Sequence, residues 1–223
     1  MKIGTDGVLL GAWVSIKNLP FSILDIGTGT GVIALQLAQR SDAELIDAIE
    51  IDENAYEQCV ENFENSPWSD RLFCYHTSLE EFVEEFVEEF DDSYDLIVSN
   101  PPFYSEDYRT ESSSRDTARF TEALPFEDLL EAVSILLSDR GTFATIIPRK
   151  EEARFVKMAS EVNLVPNRIC HVRGTANTEE KRSLIEFSFN TTEIKMETLT
   201  IELERHVYTP AYKELVKDFY LKL

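Results

Sequence analysis

The sequence predicts an α/β fold, a mostly parallel sheet with helices on both faces, and three observations predict it. Strand-like and helix-like patterns alternate from residue 22 to residue 162, the order produced by parallel strands joined through crossover helices. The 223 residues, 43% of them hydrophobic, suffice for one substantial core but not for two ordinary domains and a linker. After residue 162 the alternation breaks: two strand-like segments follow with no clear helix between them, which predicts a terminal antiparallel hairpin.

Ser22 to Ile26 is a short apolar run ending at a glycine-rich turn, and Val32 to Arg40 follows with helical spacing. Glu44 to Ile51 reads as the second strand and Glu53 to Glu64 as the next helix, with Asp52 placed to cap it. Leu72 to Tyr75 makes a third strand. From Leu79 to Phe90, acid pairs alternate with Phe82, Val83, Phe86 and Val87, the pattern of an amphipathic helix with a solvated acidic face. Tyr94 to Ser99 is the fourth strand and ends directly at Asn100-Pro101-Pro102-Phe103. Residues 104 to 122 are polar and lack periodicity, so they read as a long loop of the kind that often carries function. Phe126 to Leu137 is helical, Thr142 to Ile147 a strand and Lys150 to Val162 a helix; Ile169 to Val172 and Ser183 to Asn190 form the expected hairpin.

Composition narrows the possibilities. No run of eighteen apolar residues and no basic-then-apolar leader is present, so a soluble, cytoplasmic protein without membrane partners is expected. Cys59, Cys74 and Cys170, like His76, His171 and His206, show neither disulfide nor ligand spacing, which predicts reduced thiols and no metal site. A net charge of -21 opposes uniform electrostatic capture of nucleic acid. The charge is unevenly placed, however: eight acids fall within residues 80 to 92, whereas nine of the 21 basic residues lie between Arg140 and Arg182.

The segment Asp25-Ile26-Gly27-Thr28-Gly29-Thr30-Gly31 joins a strand to a helix, and its glycines allow a sharp turn and close approach to a ligand. Gly29 to Ala34 also satisfies the G-x-G-x-x-A pattern of dinucleotide enzymes, which keeps a nicotinamide oxidoreductase as an alternative. Two acids favour S-adenosylmethionine instead. Glu50, closing the second strand, can accept hydrogen bonds from two ribose hydroxyls. Asp25 beside the turn would repel a diphosphate but hold the ammonium of a methionine, directly or through water.

Asn100-Pro101-Pro102-Phe103 falls on the same carboxyl edge of the sheet, where open α/β sheets bind ligands. Its chemistry suits a planar amino group, whose lone pair is delocalised until its two hydrogens are held so that the nitrogen can pyramidalise. The Asn100 amide oxygen and the Pro101 carbonyl can accept those hydrogens, the prolines stiffen the turn, and Phe103 can stack on a base.

These two motifs resemble those of amino-group methyltransferases acting on adenine, guanine or protein glutamine. Further segments, namely Lys2 to Trp13, Ser66-Pro67-Trp68, Ala118-Arg119-Phe120-Thr121 and the tail from Tyr212 to Leu223, resemble the bacterial tRNA1(Val) (adenine-37-N6)-methyltransferase family over nearly the whole chain. The resemblance implies a Rossmann-like fold of seven strands with the last antiparallel, S-adenosylmethionine as cofactor, and methyl transfer to N6 of adenosine 37 in a valine tRNA. It implies catalytic roles for Asn100, Pro101 and Phe103. Cofactor contacts are expected from Thr5, Asp6, Asp25, Gly27, Gly29, Gly31, Glu50, Ile51, Ser78, Leu79 and Asn100, and substrate contacts from Pro102, Tyr104, Arg115 and Arg119.

The sequence departs from the family pattern twice. Ser78 stands where an acid commonly holds the cofactor's adenine amine, and family chains extend upstream of the Lys-x-Gly-Thr-Asp block, so residues 1–223 are expected to be a single, monomeric methyltransferase domain lacking that segment. Within the amino-methyltransferases, a protein glutamine-N5 or rRNA guanine-N2 enzyme is the alternative, and a catalytically silent RNA-binding scaffold is a further one. Arg109 in the long loop, with Arg149, Lys150 and Arg154 past the fifth strand, are additional candidates for RNA contact.

Overall fold

The computed structural model describes residues 4–89, 93–102, 124–191 and 193–222. Its elements follow in the order α1 (Thr5–Trp13), β1 (Ser22–Ile26), α2 (Val32–Arg40), β2 (Leu45–Glu50), α3 (Glu53–Glu64), β3 (Leu72–His76), α4 (Leu79–Glu89) and β4 (Tyr94–Ser99). Then come α5 (Phe126–Leu136), β5 (Leu137–Pro148), a 3-10 turn (Arg149–Glu151), α6 (Glu152–Glu161), β6 (Val165–Arg173) and β7 (Glu180–Ser188). The chain closes with β8 (Lys195–Thr200), a small ribbon of β9 (Glu202–Glu204) and β10 (Val207–Tyr208), and α7 (Pro210–Val216).

The sheet order is β3-β2-β1-β4-β5-β7-β6-β8. Strands β1 to β5 are parallel, and β7 runs antiparallel to both β5 and β6. The expected hairpin is therefore present, and the seventh strand is the antiparallel one. The count of seven is corrected to eight: β8 adds to the outer edge of β6 in parallel, using the C-terminal residues for which no strand was expected.

Alternation along each strand builds the two layers. Ile23, Ile46, Leu96, Val98 and Ala144 point to one face, packed with Leu9, Leu37, Phe63 and Tyr212 from α1, α2, α3 and α7. Leu24, Ile49, Ile97, Phe143 and Ile185 point to the other, against Phe82, Leu130, Val133 and Phe155 from α4, α5 and α6. With both faces covered by crossover helices, β1, β2 and β4 are buried at nearly every position and carry apolar residues on both sides. The order reverses between β1 and β4, with α2 packed on one face and α5 on the other, which makes the carboxyl ends of these strands the switch point at which open α/β sheets bind ligands.

Among the described residues no helix is long and apolar enough to cross a membrane, and no group of three His, Cys, Asp or Glu side chains is arranged to hold a metal ion. Cys59 and Cys170 are buried, Cys74 is half-buried, and all three are free thiols.

Candidate active site

Register brings both motifs together. In the β1–β4 pair Ile26 lies opposite Ser99, so the glycine turn and Asn100 leave neighbouring strands side by side. The buried Ser99 hydroxyl donates to the Ile26 carbonyl at 3.0 Å and ties the two strand ends. On the other flank, Ile26 lies opposite Ile49, and Glu50 opposite His76. The carboxyl ends of β4, β1, β2 and β3 thus form one continuous row.

Gly27, Gly29 and Gly31 all have positive φ (68°, 61° and 82°), a backbone that side-chain-bearing residues rarely adopt. A Cβ at Gly27 would meet nothing within 4 Å, so the turn faces open space. Gly31 is glycine for packing as well: a Cβ there would lie 2.6 Å from the Phe63 ring and 2.9 Å from the Cys59 sulfur.

Asp25 is fully buried beneath this turn. Its Oδ2 accepts from the Thr28 hydroxyl at 2.6 Å and the Ala34 amide at 3.2 Å. Oδ1 is buried without a partner. Loss of hydration pushes the carboxyl up to about 7, only partly offset by the Thr28 and Ala34 hydrogen bonds and reinforced by the nearby Glu50 charge. A cation placed near Oδ1 would find an unused acceptor.

Glu50 spends each oxygen on a backbone amide, Oε2 on Gly29 at 2.7 Å and Oε1 on Asp52 at 2.9 Å. Each oxygen retains a second lone pair, which is what two hydroxyl donors require. Beyond it Ile51 is exposed, an apolar residue at the rim. Asp52 caps α3 as expected, accepting from the Ala55 amide.

Ser78 and Glu81 form a reciprocal cap at the start of α4. The Ser78 hydroxyl accepts from the Glu81 amide, and both the Ser78 hydroxyl and its amide donate to the Glu81 carboxylate. The polar groups of Ser78 are therefore engaged locally, and Leu79 packs partly buried against the second core. Thr5 is exposed in the first turn of α1, and Gly4, not Thr5 or Asp6, occupies the cap position. Asp6 accepts from Arg182 Nε at 2.8 Å, joining α1 to β7.

Pro101 is buried and Pro102 exposed. Phe103, Tyr104, Arg109, Arg115 and Arg119 lie outside the described residues, as does the loop expected at 104 to 122. Arg149 pairs with Glu152 and Glu180, and Arg154 with Glu127.

Two residues expected to have no part in the site stand at or beside this row. His76 Nε2 lies 3.1 Å from the Ile51 carbonyl, with its ring stacked on Tyr56 at 5.1 Å. Gly7 in α1 faces Asn100. His76 belongs to no motif, and Gly7, though inside the Lys2 to Trp13 block, is assigned no role there; strand register and helix packing bring them in. An open concavity of about 720 Å³, lined by Ser93, Asp95, Ser138 and Arg140, sits at the opposite end of β4 and shares nothing with this chemistry.

A glycine turn over a buried acid, a carboxylate closing β2 and an Asn-Pro-Pro turn closing β4 define a methyltransferase-class site, and the chain matches the methyltransferase small domain family over residues 8–123. A tRNA1(Val) (adenine(37)-N6)-methyltransferase of Christiangramia forsetii is 62% identical over 223 residues, covering 100% of this chain and 92% of the relative. One of Bacteroides fragilis is 43% identical with the same coverage. The chain belongs to the tRNA1(Val) (adenine(37)-N6)-methyltransferase family, and the hydride-transfer alternative falls with that membership. In fold, a predicted O-methyltransferase of Agrobacterium tumefaciens superposes with a TM-score of 0.71, at 19% identity and 96% coverage of each chain.

Proposed function

We propose that the protein transfers a methyl group from S-adenosylmethionine to N6 of adenosine 37 in a valine tRNA. The observation that carries this reading is the apposition of Asn100-Pro101-Pro102 with the glycine turn at the β1–β4 switch point, in a chain matching adenine-N6 methyltransferases along its full length.

The residues present fit the cofactor. Glu50 would take the ribose hydroxyls, the unpartnered Asp25 Oδ1 the ammonium, the open face of Gly27 the backbone of the methionine, and Ile51 the adenine ring. Thr5 and Asp6 would close the site from α1. Bound there, S-adenosylmethionine would supply an electrophilic methyl group. The protein's own task is to make a poor nucleophile ready. Asn100 Oδ1 and the Pro101 carbonyl accept the two amine hydrogens, hold the nitrogen pyramidal and expose its lone pair. The target base has to leave its stack to arrive there, and Pro102, Phe103 and Tyr104 are assigned to receive it, with Arg115 and Arg119 on the flanking phosphates.

The test is incubation with labelled S-adenosylmethionine and, separately, valine tRNA transcript, the same transcript with adenosine 37 replaced, rRNA and release factor. Label is expected only in the first. Label in rRNA or release factor overturns the assignment.

A further inference from the structure

We infer that Gly7 makes the space in which the target amino group meets Asn100; this rests on the function proposed above. Gly7 sits inside α1 at an ordinary helical φ, where glycine is less favourable than alanine. Packing does not demand it either. A Cβ at Gly7 would lie 3.8 Å from Ile33 Cγ1 and 3.9 Å from Asn100 Nδ2, both ordinary contact distances. The contrast within α1 is Gly11, where a Cβ would collide with the Gln36 side chain. Gly7 thus carries neither a conformational nor a packing reason to lack a side chain, and what its missing methyl leaves open is the Nδ2 flank of the Asn100 amide whose Oδ1 accepts from the amine.

The helix cannot retreat to reopen that flank once it is filled. At its C-terminal end Arg40 donates to the Gly11 and Val14 carbonyls and Arg168 to the Trp13 carbonyl. Arg168 also lies over the Trp13 ring at 4.1 Å, while Gln36 donates to the Val8 carbonyl and Arg182 holds Asp6 at the first turn. A methyl added at position 7 therefore stays against Asn100 Nδ2, where it takes the room in which the amide settles as its Oδ1 meets the amine, without disturbing the fold.

The experiment compares wild type, Gly7→Ala and the control Gly4→Ala, whose Cβ meets nothing within 4 Å. Melting temperature, calorimetric affinity for S-adenosylmethionine and single-turnover methylation of saturating valine tRNA are measured on each. Gly7→Ala is expected to melt no lower than wild type, to bind the cofactor within about twofold of wild type, and to methylate about tenfold or more slowly, the scale on which a misplaced reacting group costs rate. Gly4→Ala is expected to methylate normally. A wild-type rate in Gly7→Ala overturns the inference. So does a rate loss explained by weaker cofactor binding, which would give the space to the cofactor, or by a lower melting temperature, which would make Gly7 a packing residue. Wild-type protein inert on tRNA but binding the cofactor would instead remove the proposed function, and this inference with it.

Discussion

At the scale of single residues, Asn100 and Asp25 let the proposed chemistry and the proposed binding be tested separately. Asn100→Ala is expected to keep cofactor affinity while lowering single-turnover methylation by roughly two orders of magnitude, the cost of losing a preorganised polar contact to a reacting group. Asn100→Asp keeps an acceptor and should retain more activity than Ala; equal loss of rate and thermal stability in both variants would make Asn100 a mere loop anchor. Asp25 makes a pH prediction. Burial raises its folded carboxyl to about 7 from an ordinary 3.8, so the folded state holds this proton more tightly than the unfolded one. Its contribution to stability is fully present below 3.8 and is lost as pH rises through about 7. Unfolding titrations from pH 4 to pH 8 should show that decline in wild type and a flatter profile in Asp25→Asn. By the same linkage an ammonium near Oδ1 favours the ionised carboxyl, so cofactor binding near pH 6 should release protons. Calorimetry in buffers of different ionisation enthalpy reads that release directly, and identical heats in all buffers would place the ammonium elsewhere.

At the scale of elements, the part of the fold that makes the site was legible because its signals are local. The strand Ser22–Ile26, the helices Val32–Arg40 and Glu53–Glu64 and the strand Tyr94–Ser99 have the bounds that apolar runs, glycines and the Asp52 cap predict. The C-terminal edge was less legible. β8 carries Lys195, Met196, Glu197 and Thr198 on an exposed sheet edge, so burial imprints almost no apolar pattern on it, and its pairing with β6 is a tertiary fact. α7 is announced only by Thr209 and Pro210, a cap and a first-turn proline, in a helix too short to show periodicity. Gly7 and His76 were illegible for another reason: each reaches the site through packing or register across distant segments, which spacing in one sequence does not encode. The Ser78–Glu81 cap is the converse, a purely local pattern that spacing in one sequence does encode. Ser78→Ala should cost about 1 kcal/mol, or roughly 2–4 °C in melting temperature for a chain of this size. A loss of cofactor affinity without that fall in stability would give Ser78 the expected cofactor contact and not the cap as its main role.

At the scale of the whole molecule, an acidic protein has to admit a polyanion. The carboxyl edge resolves the conflict by dividing its charge. Over β2 and β3 it carries Asp52, Glu53, Glu80 and Glu81, whereas over β5, β6 and β7 it carries Arg149, Lys150, Arg173, Lys181 and Arg182. The second group also has acids among it, since Arg149 pairs with Glu152 and Glu180 and Arg182 with Asp6, so it is a mixed rim and not a basic patch. Long-range attraction is therefore weak, and phosphates are expected to approach from the β5–β7 side because the other half repels them. Lys150 and Lys181 are exposed on that side, and reversing both should weaken tRNA binding by about tenfold or more at low salt while leaving cofactor affinity unchanged. Each lost phosphate contact should also lower the slope of log affinity against log salt by about 0.7 to 0.9, so the double variant should bind with a slope shallower by roughly 1.5. Filter binding or fluorescence anisotropy across a salt series measures both quantities together. Wild-type affinity with an unchanged slope in Lys150→Glu/Lys181→Glu would show that the RNA does not cross this rim.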